Sequence, residues 1–249
     1  MSKVAGIIPA RWGSTRFPGK ALHPIAGKPL VQHVWERCKE AGCFDHVIIA
    51  TDDMRIAEAA FDFGAEVTIT SGGHPSGTDR IAEVAQKLKK TDFIFNIQGD
   101  EPLIDPKLLQ LLARRLQRSS KIDIITAAIP IPLEEARSEN QVKVVLDRNG
   151  DALFFSRSLI PFRRAETPVR TYKHLGVYGY QRKALLNFVK MPPSPLEKTE
   201  QLEQLRALEN GMRIRVIVSE TDSIGVDTPE EAGQVEQLIL NKTELNTFL

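Results

Sequence analysis

The stretch KVAGIIPARWGSTRFPGK, residues 3–20, decides the fold of this chain. Its first seven residues, 3–9, form a short apolar run closed by Pro9, which predicts a buried strand. A loop rich in Gly, Pro, Arg and Lys follows over residues 10–28. A buried strand that opens into a glycine-containing loop is typical of α/β sheets, whose ligands lie beyond the carboxyl ends of the strands.

The same alternation of strand and helix continues through the first 130 residues. Helical patterns cover residues 29–42, 54–64, 78–90 and 106–119, and strand patterns cover 46–53, 66–70, 92–102 and 123–131. Uninterrupted apolar strands joined by helical crossovers predict a parallel sheet covered by helices on both faces. We therefore expect an α/β fold: a Rossmann-like, mixed and mostly parallel sheet.

The second half of the chain has a different pattern. Residues 142–156 predict a hairpin that turns at Asn149-Gly150, and 160–174, without periodicity, predict an excursion or an oligomer arm. A strand (174–181), a loop that opens into an acid-rich helix (192–211), a strand (213–220) and a terminal helix within 223–241 follow. We interpret the chain, residues 1–249, as one mixed-sheet domain with a small β insertion.

Composition excludes several classes of function. The chain has 249 residues and a net charge of +1, with 33 Lys and Arg against 32 Asp and Glu, so any anion site must be local. No stretch approaches the ~20 apolar residues of a membrane helix. Two cysteines, Cys38 and Cys43, in a chain whose start does not read as an export signal lead us to expect a cytoplasmic protein with reduced thiols.

The loop after the first strand combines glycines, hydroxyls and three cations: Arg11, Arg16 and Lys20. Glycine lets backbone amides approach a ligand closely, and Arg and Lys donate to phosphate oxygens. It is not a Walker A loop, because five residues separate Gly13 from Gly19 and Ala21 follows the lysine. A solvated basic turn is the alternative, but the position beyond the first strand favours phosphate binding.

Two acidic loops are candidates for a metal site. Asp100 lies in QGDEP, residues 98–102, after a strand, and Asp227 lies in GVDTP, residues 225–229, before a helix. Magnesium usually takes one or two protein carboxylates beside phosphate and water. The alternative for Asp227 is a helix cap, with Asp227 or Thr228 as the capping residue. The sequence contains no HExxH or GxSxG, so zinc and serine-nucleophile chemistry have no support.

Together these motifs carry a family resemblance. IPARWGSTRFPGK, NIQGDEP, VKVVLD, HLGVYGY, SPLEKTEQLEQLR and GVDTPEE resemble, in order, the 3-deoxy-manno-octulosonate (Kdo) cytidylyltransferases. The resemblance implies a nucleotide-diphospho-sugar transferase fold with a nucleotide-binding part (1–130) and a sugar-binding and dimerisation part (131–225). It implies transfer of CMP from CTP to Kdo for lipopolysaccharide biosynthesis, by a magnesium-dependent homodimer that needs neither nucleic acid nor membrane. The alternatives are transfer to 8-amino-Kdo or sialic acid, and a nucleotide-binding regulator without activity.

The resemblance also implies roles for individual residues. Arg11, Arg16 and Lys20 are the expected catalytic phosphate clamp, and Asp100 and Asp227 the expected magnesium ligands. The expected nucleotide contacts are Ala10, Arg11, Ser14, Arg16, Lys20, Ser76, Gly77, Thr78, Arg80 and Gln98. The expected sugar contacts are Arg157, His174, Tyr178, Glu200 and Gln204.

Spacing supports part of the sugar set. His174 and Tyr178 share a strand face, and Glu197, Glu200 and Gln204 fall along one helix face in the predicted pattern. The alternatives are a solvated helix face for the acids, a core position for Tyr178, and a helix cap for residues 76–78. The whole interpretation requires Lys20 to lie close to both aspartates.

Overall fold

The computed structural model describes residues 2–13, 17–165 and 169–247, with the side chains of the last helix described to residue 241. Its strands are β1 Val4–Ala10, β2 Pro24–Ile25, β3 Lys28–Pro29, β4 His46–Thr51, β5 Glu66–Ile69, β6 Phe93–Asn96, β7 Ile124–Ile131, β8 Lys143–Leu146, β9 Ala152–Ser156, β10 Thr171–Gln181 and β11 Ile214–Val218. Its α-helices are α1 Leu30–Ala41, α2 Met54–Asp62, α3 Gly77–Lys87, α4 Pro106–Gln117, α5 Arg182–Phe188, α6 Pro195–Glu200, α7 Gln204–Glu209 and α8 Pro229–Thr247.

The main sheet has the strand order β11-β7-β10-β6-β1-β4-β5. The pairs β11–β7, β6–β1, β1–β4 and β4–β5 are parallel, whereas β10 runs antiparallel to both β6 and β7. The hairpin β8–β9 attaches through β8 to β10. The predicted mixed, mostly parallel sheet with a small β insertion is confirmed.

Apolar side chains cover both faces of the sheet, as parallel strands require. Residues of α1, α2 and α4 pack on one face, and residues of α3, α5 and α7 pack on the other. A third cluster joins α8 to the N-terminal loop through Ile25, Leu30, Val226 and Val235. This cluster fixes the start of α8 beside the loop that carries Lys20. Among the described residues, no helix has both the length and the apolar surface to cross a membrane.

Three elements differ from the sequence prediction. The short hairpin β2–β3 lies within the predicted loop and turns through Ala26 and Gly27, both with positive φ. Helix α5 was not predicted. The single helix predicted within 192–211 is wrong, because Gln201 adopts φ 54° and ends α6 before α7 begins. Glu197 and Glu200 therefore do not share a helix face with Gln204.

Strand β10 begins at Thr171, earlier than the predicted start at 174, and contains a bulge between Leu175 and Tyr178. Residues four apart in a regular strand are separated by about 13 Å. The bulge instead brings the rings of His174 and Tyr178 to 5.2 Å between centroids. The two side chains lie together as predicted, but a bulge and not the strand periodicity brings them into contact.

Candidate active site

A cleft of about 280 Å³ lies at the carboxyl end of β1, between the loops that follow β1, β5 and β6. Many of the residues predicted to bind nucleotide or metal line it: Ala10, Arg11, Lys20, Ser76, Gly77, Arg80, Gln98, Asp100 and Asp227. Thr78 is buried next to them. Ser14 and Arg16 lie outside the described residues. The parallel sheet thus gathers loops from distant parts of the sequence at one edge.

Lys20 lies between the two aspartates. Its ammonium Nζ donates to Asp100 Oδ2 at 2.6 Å and to Asp227 Oδ1 at 3.0 Å. The lysine side chain is 14% exposed. Burial alone would lower the pKa of Lys20, but the two carboxylates, Asp100 first, outweigh it and hold the pKa above its ordinary value. The lysine is therefore a fixed positive charge at neutral pH.

The backbone before Lys20 is held by Trp12. Gly19 has φ 71°, its amide donates to the carbonyl oxygen of Trp12 at 3.1 Å, and the indole ring packs against its Cα. A side chain at position 19 would meet that ring at 3.1 Å. The guanidinium of Arg55 in turn lies 3.4 Å from the centroid of the Trp12 ring. Trp12 therefore packs the turn that presents the lysine.

Asp100 is placed by a close approach of two chain segments. A Cβ on Gly99 would lie 2.9 Å from the carbonyl oxygen of Pro9, so only glycine fits without a shift. The carbonyl oxygen of Asp100 accepts a hydrogen bond from the amide of Val226 at 2.8 Å. This bond ties the loop after β6 to the loop before α8.

Asp227 is not the cap of α8. Glu231 accepts hydrogen bonds from the amides of Asp227 and Thr228, at 2.7 and 3.0 Å, while its own amide donates to the Thr228 hydroxyl at 3.3 Å. This arrangement is a capping box with Thr228 as the N-cap. The Asp227 side chain is turned toward Lys20 instead.

The acidic pair fits a divalent cation that arrives with a phosphate ligand. No group of three or more metal-type His, Cys, Asp or Glu side chains is present among the described residues. Two carboxylates that contact one ammonium are close enough to share one cation, and magnesium needs no more from a protein when phosphate and water complete its shell. The side chain of Glu101, next to Asp100, packs against β10, since a Cβ on Gly176 would lie 3.0 Å from its Oε1. Burial and then the charge of Asp100 raise the pKa of Glu101 to about 7.

The hydroxyl groups predicted to contact nucleotide are engaged within the protein. Ser76 is the N-cap of α3, the alternative considered from the sequence, and accepts from the amide of Asp79. Its hydroxyl lies 3.0 Å from Glu203 Oε1, and the Thr78 hydroxyl donates to Glu203 Oε2 at 2.6 Å. Burial raises the pKa of Glu203, against the smaller effect of these two hydroxyls. Glu203 was missed from the sequence because the predicted continuous helix gave no signal that set it apart.

The residues predicted to bind the sugar are not among those that line this cleft. Four of them form two contacting pairs, and the fifth is buried. Arg157 donates from Nε to the carbonyl oxygen of Glu200 at 3.0 Å, and the Glu200 carboxylate accepts from the Arg157 amide and the Ser156 hydroxyl. His174 and Tyr178 form the second pair, and Gln204 is buried at the start of α7. Gln98 links the groups, since its Nε2 lies 3.4 Å from the carbonyl oxygen of Gly176 in the β10 bulge.

The tautomer of His174 follows from its hydrogen bond with the hydroxyl of Thr126. The Thr126 hydroxyl has one proton, which the carbonyl oxygen of Val177 accepts at 2.7 Å. Nε2 of His174, at 2.9 Å from the same hydroxyl oxygen, is therefore the donor to Thr126. Burial lowers the pKa of His174 to about 3, so the ring is neutral at physiological pH.

Comparisons with known proteins identify the family of this chain. The cytidylyltransferase family model matches residues 5–214. The 3-deoxy-manno-octulosonate cytidylyltransferase of Geobacter metallireducens is 50% identical over 245 residues, covering 94% of this chain and 96% of the relative. The enzyme of the same name from Myxococcus xanthus is 48% identical over 238 residues, covering 95% and 96%.

A solved structure extends the similarity to three dimensions. CMP:2-keto-3-deoxy-manno-octonic acid synthetase, in complex with CTP, superposes with a TM-score of 0.94 at 40% identity and covers 97% of this chain and 100% of that chain. The resemblance inferred from the motifs is therefore confirmed over nearly the whole sequence. This chain belongs to the 3-deoxy-manno-octulosonate cytidylyltransferase family.

Proposed function

We propose that this protein transfers CMP from CTP to the anomeric hydroxyl of Kdo and releases pyrophosphate. The position of Lys20 between Asp100 and Asp227, in the wall of the cleft, is the observation that carries the proposal. A cation beside two carboxylates suits a polyanion that arrives with a metal ion. The names of the relatives and the CTP in the solved structure indicate which nucleotide and which sugar.

The reaction needs positioning and charge neutralisation more than covalent chemistry. The sugar hydroxyl attacks the α-phosphorus and loses its proton to solvent water, while the bond from the α-phosphorus to the departing pyrophosphate breaks in line. Arg11, Arg16 and Lys20 neutralise the phosphate oxygens as charge moves to the leaving group. Asp100 and Asp227 would hold magnesium, which supplies polarisation of the α-phosphate when bound. Ala10, Ser14, Gly77, Arg80 and Gln98 would contact the nucleotide.

For the sugar, we propose the group around the β10 bulge. His174 and Tyr178 offer neutral ring and hydroxyl groups to sugar hydroxyls, and Gln204 offers an amide. The side chain of each of Arg157 and Glu200 is hydrogen-bonded to the backbone of the other. This favours a role in which the two residues support the sugar site at its edge. The link from Gln98 to Gly176 joins this side to the nucleotide cleft.

The direct test is an assay of the purified protein with CTP, magnesium and Kdo. We expect release of pyrophosphate together with a product of the mass of CMP-Kdo, and loss of both when EDTA removes the metal. Sialic acid and 8-amino-Kdo serve as competing acceptors, and UTP as the competing nucleotide. Turnover of 8-amino-Kdo but not of Kdo would overturn the assignment of the sugar.

We further propose that the protein acts as a homodimer in the cytoplasm, where its product enters lipopolysaccharide biosynthesis. Large apolar side chains are exposed around the β insertion, among them Leu153, Phe162 and Val169, and burial against a second copy would remove them from water. Cys38 and Cys43 are free thiols, which suits a reducing compartment. Sedimentation equilibrium is expected to give twice the chain mass, and a monomer at all concentrations would contradict the dimer.

A further inference from the structure

Arg80 is a buried guanidinium at the wall of the nucleotide cleft. It lies in the first turn of α3, lines the cleft, and is 4% exposed. A guanidinium presents its donors in a fixed plane, so the direction of that plane decides which ligand atoms they reach. Any group that fixes the orientation of the Arg80 guanidinium therefore also fixes the direction of its donors in the cleft.

Two strand ends hold the guanidinium. Nη1 donates to the Thr70 hydroxyl, directly after β5, at 2.5 Å, and Nη2 lies 3.3 Å from Asp52 Oδ1, directly after β4. The two strand ends are themselves joined, since the amide of Thr70 donates to the carbonyl oxygen of Thr51 at 2.9 Å. Arg80 is thus fixed against the sheet and not only by its own helix.

Asp52 also contacts the loop that forms the neighbouring part of the cleft wall. A Cβ on Gly72 would lie 3.3 Å from Asp52 Oδ2, so this carboxylate packs against the backbone of the loop 71–76. The same loop lines the cleft with His74, Pro75 and Ser76. One carboxylate therefore supports both the guanidinium and the loop beside it.

We infer that Asp52 is a positioning residue for nucleotide binding, acting through Arg80. This inference rests on the proposed function, in which CTP occupies the cleft. As a carboxylate beside a buried cation, Asp52 keeps the guanidinium in one orientation, with the remaining donors available to acceptor atoms of the nucleotide. The polar partners of the Arg80 guanidinium are Thr70 and Asp52, and neither belongs to the residues proposed to bind the sugar.

The test compares Asp52→Ala with Asp62→Ala. Without its carboxylate partner Arg80 can turn, so we expect the Kd and the KM for CTP to rise about tenfold, as for loss of one charged hydrogen-bond partner, with kcat and the KM for Kdo nearly unchanged. Asp62 is an exposed carboxylate on α2, the helix that follows Asp52. Its replacement leaves Arg80 and the loops of the cleft untouched, so we expect an unchanged Kd for CTP.

The conservative variant Asp52→Asn keeps the shape and one acceptor oxygen, and we expect it to recover part of the lost CTP affinity. If Asp52→Ala does not fold, Asp52→Asn is the variant in which the Kd for CTP is measured. Calorimetric titration with CTP alone gives the Kd without turnover. Equal rises in the KM for CTP and for Kdo, or the same loss of affinity in Asp62→Ala, would overturn the positioning role. Wild-type protein that binds CTP but releases no pyrophosphate with Kdo would overturn only the proposed function.

Discussion

At the scale of single residues, the candidate site depends on one ammonium that contacts two carboxylates. The sequence indicated which residues carry charge, because Lys20, Asp100 and Asp227 stand in loops beside predicted strands and helices. The sequence did not indicate the hydrogen-bond partners of the neutral side chains in the site. The Ser76 and Thr78 hydroxyls meet Glu203, more than a hundred residues away in the chain, and no local pattern reports such a contact.

Replacement of Asp227 by Asn removes one negative charge from the triphosphate end of the cleft. We expect kcat to fall by at least about 100-fold, because charge stabilisation at the reacting phosphate is the main source of catalysis in such transfers. Asp100→Asn is expected to behave in the same way. Steady-state pyrophosphate release measures the effect, and thermal unfolding shows that the variants remain folded.

Asp62→Asn is the matched control, since Asp62 is exposed on α2. It is expected to keep wild-type rates. Wild-type rates in Asp227→Asn or Asp100→Asn would contradict the assignment of these carboxylates to the metal and triphosphate.

His174 predicts a pH dependence of stability. Its pKa is about 3 in the folded protein and about 6.5 when unfolded, so the unfolded chain binds the extra proton first. The stability that the folded protein gains from a neutral His174 ring is fully present above pH 6.5. As the pH falls from 6.5 toward 3, the free energy of unfolding decreases by up to about 1.4 kcal/mol per pH unit. Urea unfolding between pH 7 and pH 5 should show a shallower loss of stability in His174→Gln. Parallel curves for the two proteins would contradict a buried neutral imidazole.

At the scale of elements, the apolar patterns predicted the strands β1 and β4 to β7 and the helices α1 to α4 well, because each has a buried face with a regular period. The pattern failed where one residue interrupts the period. Gln201 ends α6 in a left-handed conformation that glycine or asparagine normally adopts, so no residue type in this segment indicated the end of the helix. The bulge in β10 likewise could not be predicted from the alternation of apolar and polar residues along the strand, yet it brings His174 and Tyr178 together.

Gly99→Ala tests the contact between the ends of β1 and β6. The new Cβ would lie 2.9 Å from the carbonyl oxygen of Pro9, and backbone must move to accept it. We expect a loss of about 1–3 kcal/mol in the free energy of unfolding, and a fall of about tenfold in kcat because Asp100 is displaced. Chemical denaturation and pyrophosphate release give the two values.

Gly233→Ala is the control for that substitution. It lies exposed on α8, and a Cβ there meets nothing within 4 Å, so we expect full activity and a gain of about 0.5–1 kcal/mol in stability. An active, fully stable Gly99→Ala protein would show that the loop after β6 does not depend on the close approach.

At the scale of the whole molecule, one sheet joins the residues proposed to bind nucleotide and those proposed to bind sugar. β10 lies between β6 and β7, and the packing across it is tight at Gly179. The sequence predicted β10 as a strand, but not its place in the sheet, since strand order depends on pairing between segments far apart in the chain. The parallel class was predictable because helical crossovers demand it.

Gly179→Ala tests this packing. A Cβ at this position would lie 2.5 Å from Cζ of Phe95 and 2.8 Å from Cγ2 of Ile125, both in the core. We expect the free energy of unfolding to fall by about 1–3 kcal/mol or more. Gly73→Ala, in an exposed loop where the nearest atom is Ser71 Oγ at 3.6 Å, should leave stability unchanged. Comparable unfolding midpoints for the two variants would contradict the packing at β10.

The antiparallel place of β10 has a consequence for how the chain is made. Strands β6 and β7 are synthesised early, but the strand that lies between them leaves the ribosome some forty residues after β7, as its residue numbers show. Until then the edges of β6 and β7 that β10 will cover have no neighbour, and they are the kind of edge to which other chains add. Emergence of β10 from the ribosome closes these two edges, although the other edge of β7 stays open until β11 follows. Chaperone protection would therefore matter most before β10 emerges.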